Sequence, residues 1–400
     1  MYDNYFIFDN VVHMYDNTKN NIPDKVGQEM ANFIYGAGQV FSGGPYKSME
    51  NFNTTEMSVE EAHKILFEDS DTDMVVAQTV PLFGWFKNGF SPADRNHALA
   101  KAYPDRVVFC GGVDPLYQGS AGALREMERQ AEEMNAVSFK YYQSQRRGDV
   151  WRADDRYIAY PMWEKALELG VNSVQFHKGF PFGPQLLEHQ HPGDIERAAI
   201  DFPDLTFIIH HLGQPFIDET VNIVSRHPNV MMAMSAWINM FPIQPRKGLH
   251  ELGKCLLYCG ADKLLYCGYF PAGISLERQF TELRIAIEPA EADGEARQRP
   301  VPKLRPRASA ADAMDKAARA DGGEKLDRRQ VARQLQGAAG GDHPFEMVVE
   351  ILRRIAGKTA RRIVDEAFGM GDAALEGEAV NQGLECRTRR AQRLGQVDEA

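Results

Sequence analysis

Over its first 287 residues the chain repeats one pattern: a short apolar run of strand length, then a longer stretch with apolar positions at helical spacing. Strand-like runs are predicted at 5–12, 73–79, 106–111, 136–142, 172–177, 205–210, 229–234 and 263–267. Helical patterns fill 58–68, 93–103, 118–134, 159–170, 193–201, 217–227 and 246–260, and a last one fits 275–287. Met74-Val75-Val76-Ala77 and Val107-Val108-Phe109 are apolar without alternation, as expected of strands covered on both faces. Eight strand–helix units in a segment of this length predict an α/β fold, a (β/α)8 TIM barrel. A doubly wound sheet is the alternative. It is disfavoured because no Gly-x-Gly-x-x-Gly follows an early strand.

Three of these strands end in histidine. Val174-Gln175-Phe176 leads to His177, and Lys178-Gly179-Phe180-Pro181 breaks the extended backbone at once. The run 205–209 leads to His210 and His211, followed by Gly213, and the run 5–12 leads to His13. Strand C-termini open on the mouth of a barrel, so imidazoles there point to a metal or acid–base site. Neighbouring strand residues face opposite ways, so one of His210 and His211 is expected inside. Register is read as favouring His211, with His210 packed between strand and helix. Lys140 ends the fourth strand, where it would pair with a substrate carboxylate, carry a metal as a carbamate, or snorkel at the rim. Lys178 is expected to face outward and hold a carboxylate such as Asp218 or Glu219.

Composition divides the chain. Residues 1–280 carry 38 of the 40 aromatics, and residues 281–400 carry only Phe345 and Phe368. The barrel is therefore expected over 1–287, with a lid-like Asn- and Gly-rich insertion at 13–57 over the mouth. Residues 288–344 have no aromatic and read as a low-complexity linker. Residues 345–400 recover a helical pattern at Val348, Val349, Ile351, Leu352 and Ile355, a mostly helical or disordered tail. The abrupt switch is also what a shifted reading frame would leave.

A net charge of −11 argues against a general nucleic-acid or anionic-membrane binder. No run is long and apolar enough to span a bilayer, and no signal peptide is recognised, so a cytoplasmic protein is expected. The five cysteines make neither a disulfide framework nor a zinc knuckle, and reduced thiols are expected.

The run from about 135 to 215 resembles the amidohydrolase-related family typified by aminocarboxymuconate semialdehyde decarboxylase and its metal-dependent hydrolase relatives. The resemblance lies in Ala136-Val137-Ser138-Phe139-Lys140-Tyr141-Tyr142, in Ala166-Leu167-Glu168-Leu169-Gly170-Val171, in His177-Lys178-Gly179, and in Asp201-Phe202-Pro203-Asp204-Leu205 leading to His211-x-Gly213. In arrangement it extends over roughly 5–285 and implies the same barrel. It implies one divalent metal, Zn²⁺ with Mn²⁺ or Co²⁺ as alternatives, held by His13 and His177, with His211 beside it as a catalytic residue. It also implies possible homodimers. Two positions depart from the family pattern: Val11 stands where the first strand-1 histidine belongs, and Tyr269 where the strand-8 acid belongs.

Aromatic residues crowd the segments that follow the strands. Trp85, Tyr142, Trp151, Phe180, Trp237 and Tyr269 are expected to bind substrate, which favours a small, partly aromatic ligand. The expected activity is hydrolysis through a metal-activated water, with Lys140 catalytic as the anchor of an anionic group. Non-oxidative decarboxylation of an aromatic or unsaturated carboxylic acid is the second expectation. The third is a catalytically inactive ligand-binding barrel, because of Val11 and Tyr269.

Overall fold

The computed structural model describes residues 7–41, 46–54, 56–70, 72–240 and 244–268, and every structural statement below concerns these. Helix 275–287, the linker 288–344, the tail 345–400 and Tyr269 lie outside them.

Eight strands form one parallel sheet in sequence order. They are β1 (Phe8–Val12), β2 (Met74–Gln78), β3 (Val107–Gly111), β4 (Ser138–Tyr141), β5 (Ser173–Phe176), β6 (Thr206–Ile209), β7 (Val230–Ala233) and β8 (Leu264–Leu265). Each falls inside its predicted run. The Asn10 amide donates to Tyr266 O at 3.1 Å, and the Asp9 carboxylate accepts from Gly268 N at 2.8 Å. These contacts draw the end of β8 onto β1, so the sheet is a nearly closed barrel.

The helices are α1 (Lys25–Phe41), α2 (Met49–Phe52), α3 (Val59–His63), α4 (Ala93–Ala102), α5 (Pro115–Gln118), α6 (Ser120–Glu132), α7 (Tyr160–Glu168), α8 (Gly193–Asp201), α9 (Ile217–Arg226) and α10 (Pro245–Cys259). The predicted 58–68 helix is α3 continued by a π-helical turn at Lys64–Glu68. Ser58 starts α3 as a capping box: its side chain accepts from Glu61 N, and the Glu61 carboxylate accepts from Ser58 N.

Alternation along the strands sorts their residues between two environments. Phe139, Tyr141, Val174, Phe176, Phe207, Ile209, Val230 and Met232 pack outward against Met127, Met162, Trp163, Ile195 and Ala198 of the helices. Val11, Ile208, Ala233 and Cys267 meet one another inside the barrel. The inward set on β2, β4 and β5 is polar: Gln78, Ser138, Lys140 and Gln175 are all buried. The Gln175 carboxamide ties this layer together, accepting from Gln78 Nε2 at 2.8 Å and from Asn10 Nδ2 at 3.3 Å and donating to Ser138 Oγ at 3.2 Å.

The insertion after β1 is more regular than its composition indicates, because 17 of its residues form α1. Met30 and Ala31 of α1 pack with Val80, Leu82, Trp85, Phe86 and Phe90 after β2 and with Tyr142 after β4. The helix thus covers segments that follow strands, at the mouth end of the barrel.

After β5 the chain turns sharply through Gly179, φ +67°, where a Cβ would lie 1.9 Å from Gln214 O. Gly179→Ala is expected to destabilise the fold by about 2 kcal/mol or more, from left-handed strain and this clash together. Urea unfolding measures it, and a change under about 0.5 kcal/mol would show that the turn relaxes.

Candidate active site

β1, β5 and β6 bring His13, His177, His210 and His211 together around the end of the barrel axis, and β4 adds Lys140. All five side chains are buried. His13 continues past β1, and its Nδ1 meets Gln78 O at 2.9 Å. A carbonyl only accepts, so Nδ1 carries the hydrogen and the acceptor lone pair sits on Nε2. The ring stacks on Tyr15 at 5.1 Å, and Tyr15 stacks on Phe90.

His177 and His211 face each other, with His211 Nε2 and His177 Nδ1 2.8 Å apart. The outer nitrogen of each ring lies against a carbonyl: His177 Nε2 is 3.0 Å from Phe180 O, and His211 Nδ1 is 2.7 Å from Ser235 O. Four ring nitrogens between two carbonyl oxygens need three hydrogens, and two neutral imidazoles bring only two. A shared proton would satisfy the row. Burial opposes it and Lys140 adds to that opposition, so His177 is pushed down to about 3 and His211 well below the ordinary histidine range, with the neighbouring His177 a further cause for His211. The pair is therefore neutral at pH 7, with a gap that receives a proton only transiently.

Both His210 and His211 point inward, which corrects the sequence reading. His210 continues the inward set of β6 after Ile208, and its Nε2 reaches Gln175 Oε1 at 2.7 Å while Nδ1 meets Ser235 Oγ at 3.0 Å. His211 would alternate outward, but its backbone is left-handed (φ 61°), as are Leu212 (51°) and Gly213 (67°). Leaving extended geometry at that residue cancels the alternation and swings the second ring in.

Lys140 is 1% exposed and faces the interior from β4. Its Nζ lies 5.3 Å from the Tyr142 ring centroid and has no ion-pair or hydrogen-bond partner among the described residues. Burial pushes this amine down to about 7, with the Cys110 and Cys267 thiols opposing the shift. It is no snorkelling rim residue. Lys178 faces outward as expected, but its partner is Asp194 of α8, at 2.6 Å, with both side chains buried. Asp218 pairs instead with Lys254, one helix further round.

The expected aromatic lining separates into two groups. Tyr142 stacks on His177 at 4.7 Å and Phe180 meets His211 edge-on at 5.7 Å, both at the cluster. Trp85 lies in the wall between α1 and Tyr142. Trp151 and Trp237 do not face the cluster. Trp151 packs with Tyr141 and Trp163, and Trp237 is in the same outer core with its Nε1 donating to Glu251 Oε2 at 2.7 Å. Both are large apolar anchors whose strand-following positions resemble those of ligand-facing residues. Ser235, Gln175 and Gln78 were missed. For Gln175 and Gln78 the signal is a polar residue at an inward register position of an otherwise apolar strand; Ser235 lies past the end of β7 and carries no such signal.

As arranged, the described residues do not complete a metal site. No three His, Cys, Asp or Glu side chains among them are grouped to hold an ion. His177 Nδ1 and His211 Nε2 are engaged with each other, and Val11 is packed among Ile208, Ala233 and Cys267. What the cluster offers is general acid–base chemistry by neutral imidazoles beside an uncompensated amine.

The sequence profile of the amidohydrolase family matches residues 61–270. No curated protein matches the chain. Among solved structures it is similar to an uncharacterised TIM-barrel protein from Bordetella bronchiseptica, at 18% identity over 84% of this chain and 100% of that one, with a TM-score of 0.54. It is also similar to a manganese-bound 5-carboxyvanillate decarboxylase from Novosphingobium aromaticivorans (13% identity, 69% and 91% covered, TM-score 0.46). A third is 4-oxalomesaconate hydratase from Rhodopseudomonas palustris (16% identity, 84% and 100% covered, TM-score 0.43). The first of these shows the shared barrel. With the profile spanning β2 to the end of β8 and the histidines at the strand ends, the chain belongs to the amidohydrolase family.

Proposed function

We propose that this chain is an enzyme acting on a small, carboxylate-bearing and partly aromatic substrate, whose carboxylate Lys140 holds while the His177–His211 pair moves the proton. The observation that carries this reading is Lys140: a buried amine with no anionic partner among the described residues, directly beside neutral imidazoles. A buried amine with no counter-charge becomes a favourable ammonium only beside an anion, and a substrate carboxylate supplies it. Tyr142 and Phe180 flank the two histidines and provide apolar faces for a ring.

In the hydrolytic reaction a neutral imidazole of the pair takes the proton of the attacking water. The gap between His177 Nδ1 and His211 Nε2 receives it, and the charged pair then returns it to the leaving group. His13, fixed by Gln78 O, presents Nε2 as a second acceptor. Decarboxylation is the second reading, favoured by the same proton-receiving gap, since ring-carbon protonation needs an acid stronger than ordinary imidazolium.

A panel of aromatic acids, esters and amides, scored for CO₂ release against acid or amine release, separates the two reactions. Metal content of the purified protein is measured alongside. No turnover of any panel member, with or without added Zn²⁺ or Mn²⁺, would leave the inactive ligand-binding barrel as the better reading. His177→Gln and His211→Gln are each expected to lower kcat by roughly 10²–10⁴ with the fold retained by circular dichroism. Full activity in both variants would remove the pair from the mechanism.

A further inference from the structure

Every side chain of the candidate site is shut away from solvent. His13, Lys140, Tyr142, His177, His210 and His211 are at most 2% exposed. No ligand the size of an aromatic ring reaches them unless an element over the mouth moves. The insertion helix α1 is placed to be that element. Its Met30 and Ala31 pack with Trp85 and Tyr142, and Tyr142 stacks on His177. Gly27 brings the helix backbone down on the segment after β2, since a Cβ there would lie 2.5 Å from Trp85 O. Further along, a Cβ built on Gly183, after β5, would lie 3.6 Å from Phe33 Cβ and from Met30 Sδ. The helix thus crosses the mouth from the β2 side to the β5 side. Its hold is apolar: among the described residues, no hydrogen bond runs from 25–39 to a strand or to the segments after β2, β4 and β5. The polar tie lies just before the helix, where the partly exposed Asp24 pairs with Arg146 at 2.8 Å, and such a pair contributes little. Both flanks, by contrast, are pinned. The Asn21 carboxamide donates to Asp16 O and Gly89 O and accepts from Asn88 N, and Phe52 O accepts from Asn17 Nδ2.

We propose that α1 is the gate of this site, lifting as a unit between its pinned flanks at Asn21 and Phe52 to admit the ligand. On closing, it lays Met30 and Ala31 back over the Tyr142 wall and excludes water from the histidines. A helix held on one face by apolar contact opens at lower cost than the hydrogen-bonded strands beneath it. The gate does not depend on which ligand the site takes, so it stands or falls apart from the carboxylate reading. It also gives Gly27 a reason. Glycine inside a helix is less favourable than alanine, and here it permits the seal against Trp85 O. Gly27→Ala is therefore a wedge that shifts α1 towards the open position, and a covalent tie between Phe33 and Gly183 is the opposite, a lock.

The test follows access to the cluster with diethyl pyrocarbonate, which acylates neutral imidazoles, on the full chain, with modified histidines identified by peptide mass. His250, exposed on α10, is the internal control. Phe33→Cys with Gly183→Cys sets two Cβ atoms about 3.6 Å apart, within the range for a disulfide. Oxidation of this variant is expected to slow modification of His13, His177, His210 and His211 at least tenfold relative to its own reduced form, with His250 unchanged. Strain from a side chain at Gly183, φ +49°, is common to both forms. Gly27→Ala is expected to speed modification of the cluster at least threefold. Equal rates in the oxidised and reduced forms would overturn the gate. An unchanged rate in Gly27→Ala would overturn it independently, whether or not the disulfide forms. So would a wild-type cluster that reacts no faster than the β4 and β5 amides exchange, because the probe would then enter by unfolding of the barrel.

Discussion

Asp194→Ala is expected to lower the unfolding free energy by about 3–5 kcal/mol, the range for removing one partner of a buried ion pair. The Asp194 carboxylate is 3% exposed and Lys178 is 2% exposed. Burial would raise the acid, but the Lys178 ammonium and the donors around it more than reverse this and hold Asp194 below its ordinary value. Besides Lys178 at 2.6 Å, the acid accepts from Gln143 Nε2 at 2.8 Å and from Ala153 N at 2.9 Å. Alanine removes the counter-charge of the ammonium, which keeps only His191 O at 3.1 Å, leaves the Gln143 carboxamide with Trp151 O alone at 3.2 Å, and strips the Ala153 amide of its acceptor in a dry interior. Urea unfolding measures the loss, and a value under about 1 kcal/mol would mean that water enters the site. Lys178→Met with Asp194→Leu is expected to recover most of the stability, since it removes both charges and fills their volume.

The same pair has a consequence for the site. Lys178 and His177 are neighbours on the strand end, so the outward anchor of one fixes the inward aim of the other. Asp194→Ala is thereby expected to lower activity as well as stability, through a displaced His177 and not through any contact with substrate.

The eight strands were legible because buried parallel strands are short, apolar and regularly spaced, and β5 also showed its facing: Val174 and Phe176 out, Gln175 and His177 in. Lys140 was legible for the same reason, as the lone charge at an inward position between Phe139 and Tyr141. What misled the reading was backbone conformation. His210 and His211 were assigned by alternation, and a left-handed residue at His211 put both inside. Only Gly213 hinted at that turn. Partners distant in sequence were illegible too. Nothing near Lys178 distinguishes Asp194 from Asp218, because the choice depends on which helix packs over β5. Trp151 and Trp237 were misplaced because position after a strand gives the end of the barrel but not the side of the loop on which a ring is buried.

Between about pH 6 and pH 4 the protein is expected to lose stability at roughly 3 kcal/mol per pH unit, a net of about two protons. The sign follows from two opposed sets of buried groups. Burial lowers His13 and His177 to about 3 and holds His210 and His211 well below the ordinary value, so in the fold all four stay uncharged while the unfolded chain protonates them below about 6.5. Their stabilisation is fully present above 6.5 and is lost as pH falls. Burial raises Asp9 and Asp114 to about 7, so these carboxyls are protonated in the fold while the unfolded chain keeps them ionised down to about 4. They act the other way, each offsetting one histidine. Four against two leaves the acid side unfavourable. Urea midpoints at pH 8, 7, 6 and 5 should fall progressively below pH 6.5, and His13→Asn should flatten that fall by about one proton, because asparagine keeps a donor for Gln78 O and does not titrate. A midpoint that stays level down to pH 5 would mean that the histidine cluster accepts protons in the folded state. The shared proton between His177 and His211 would then be a resting feature of the site and not a transient one.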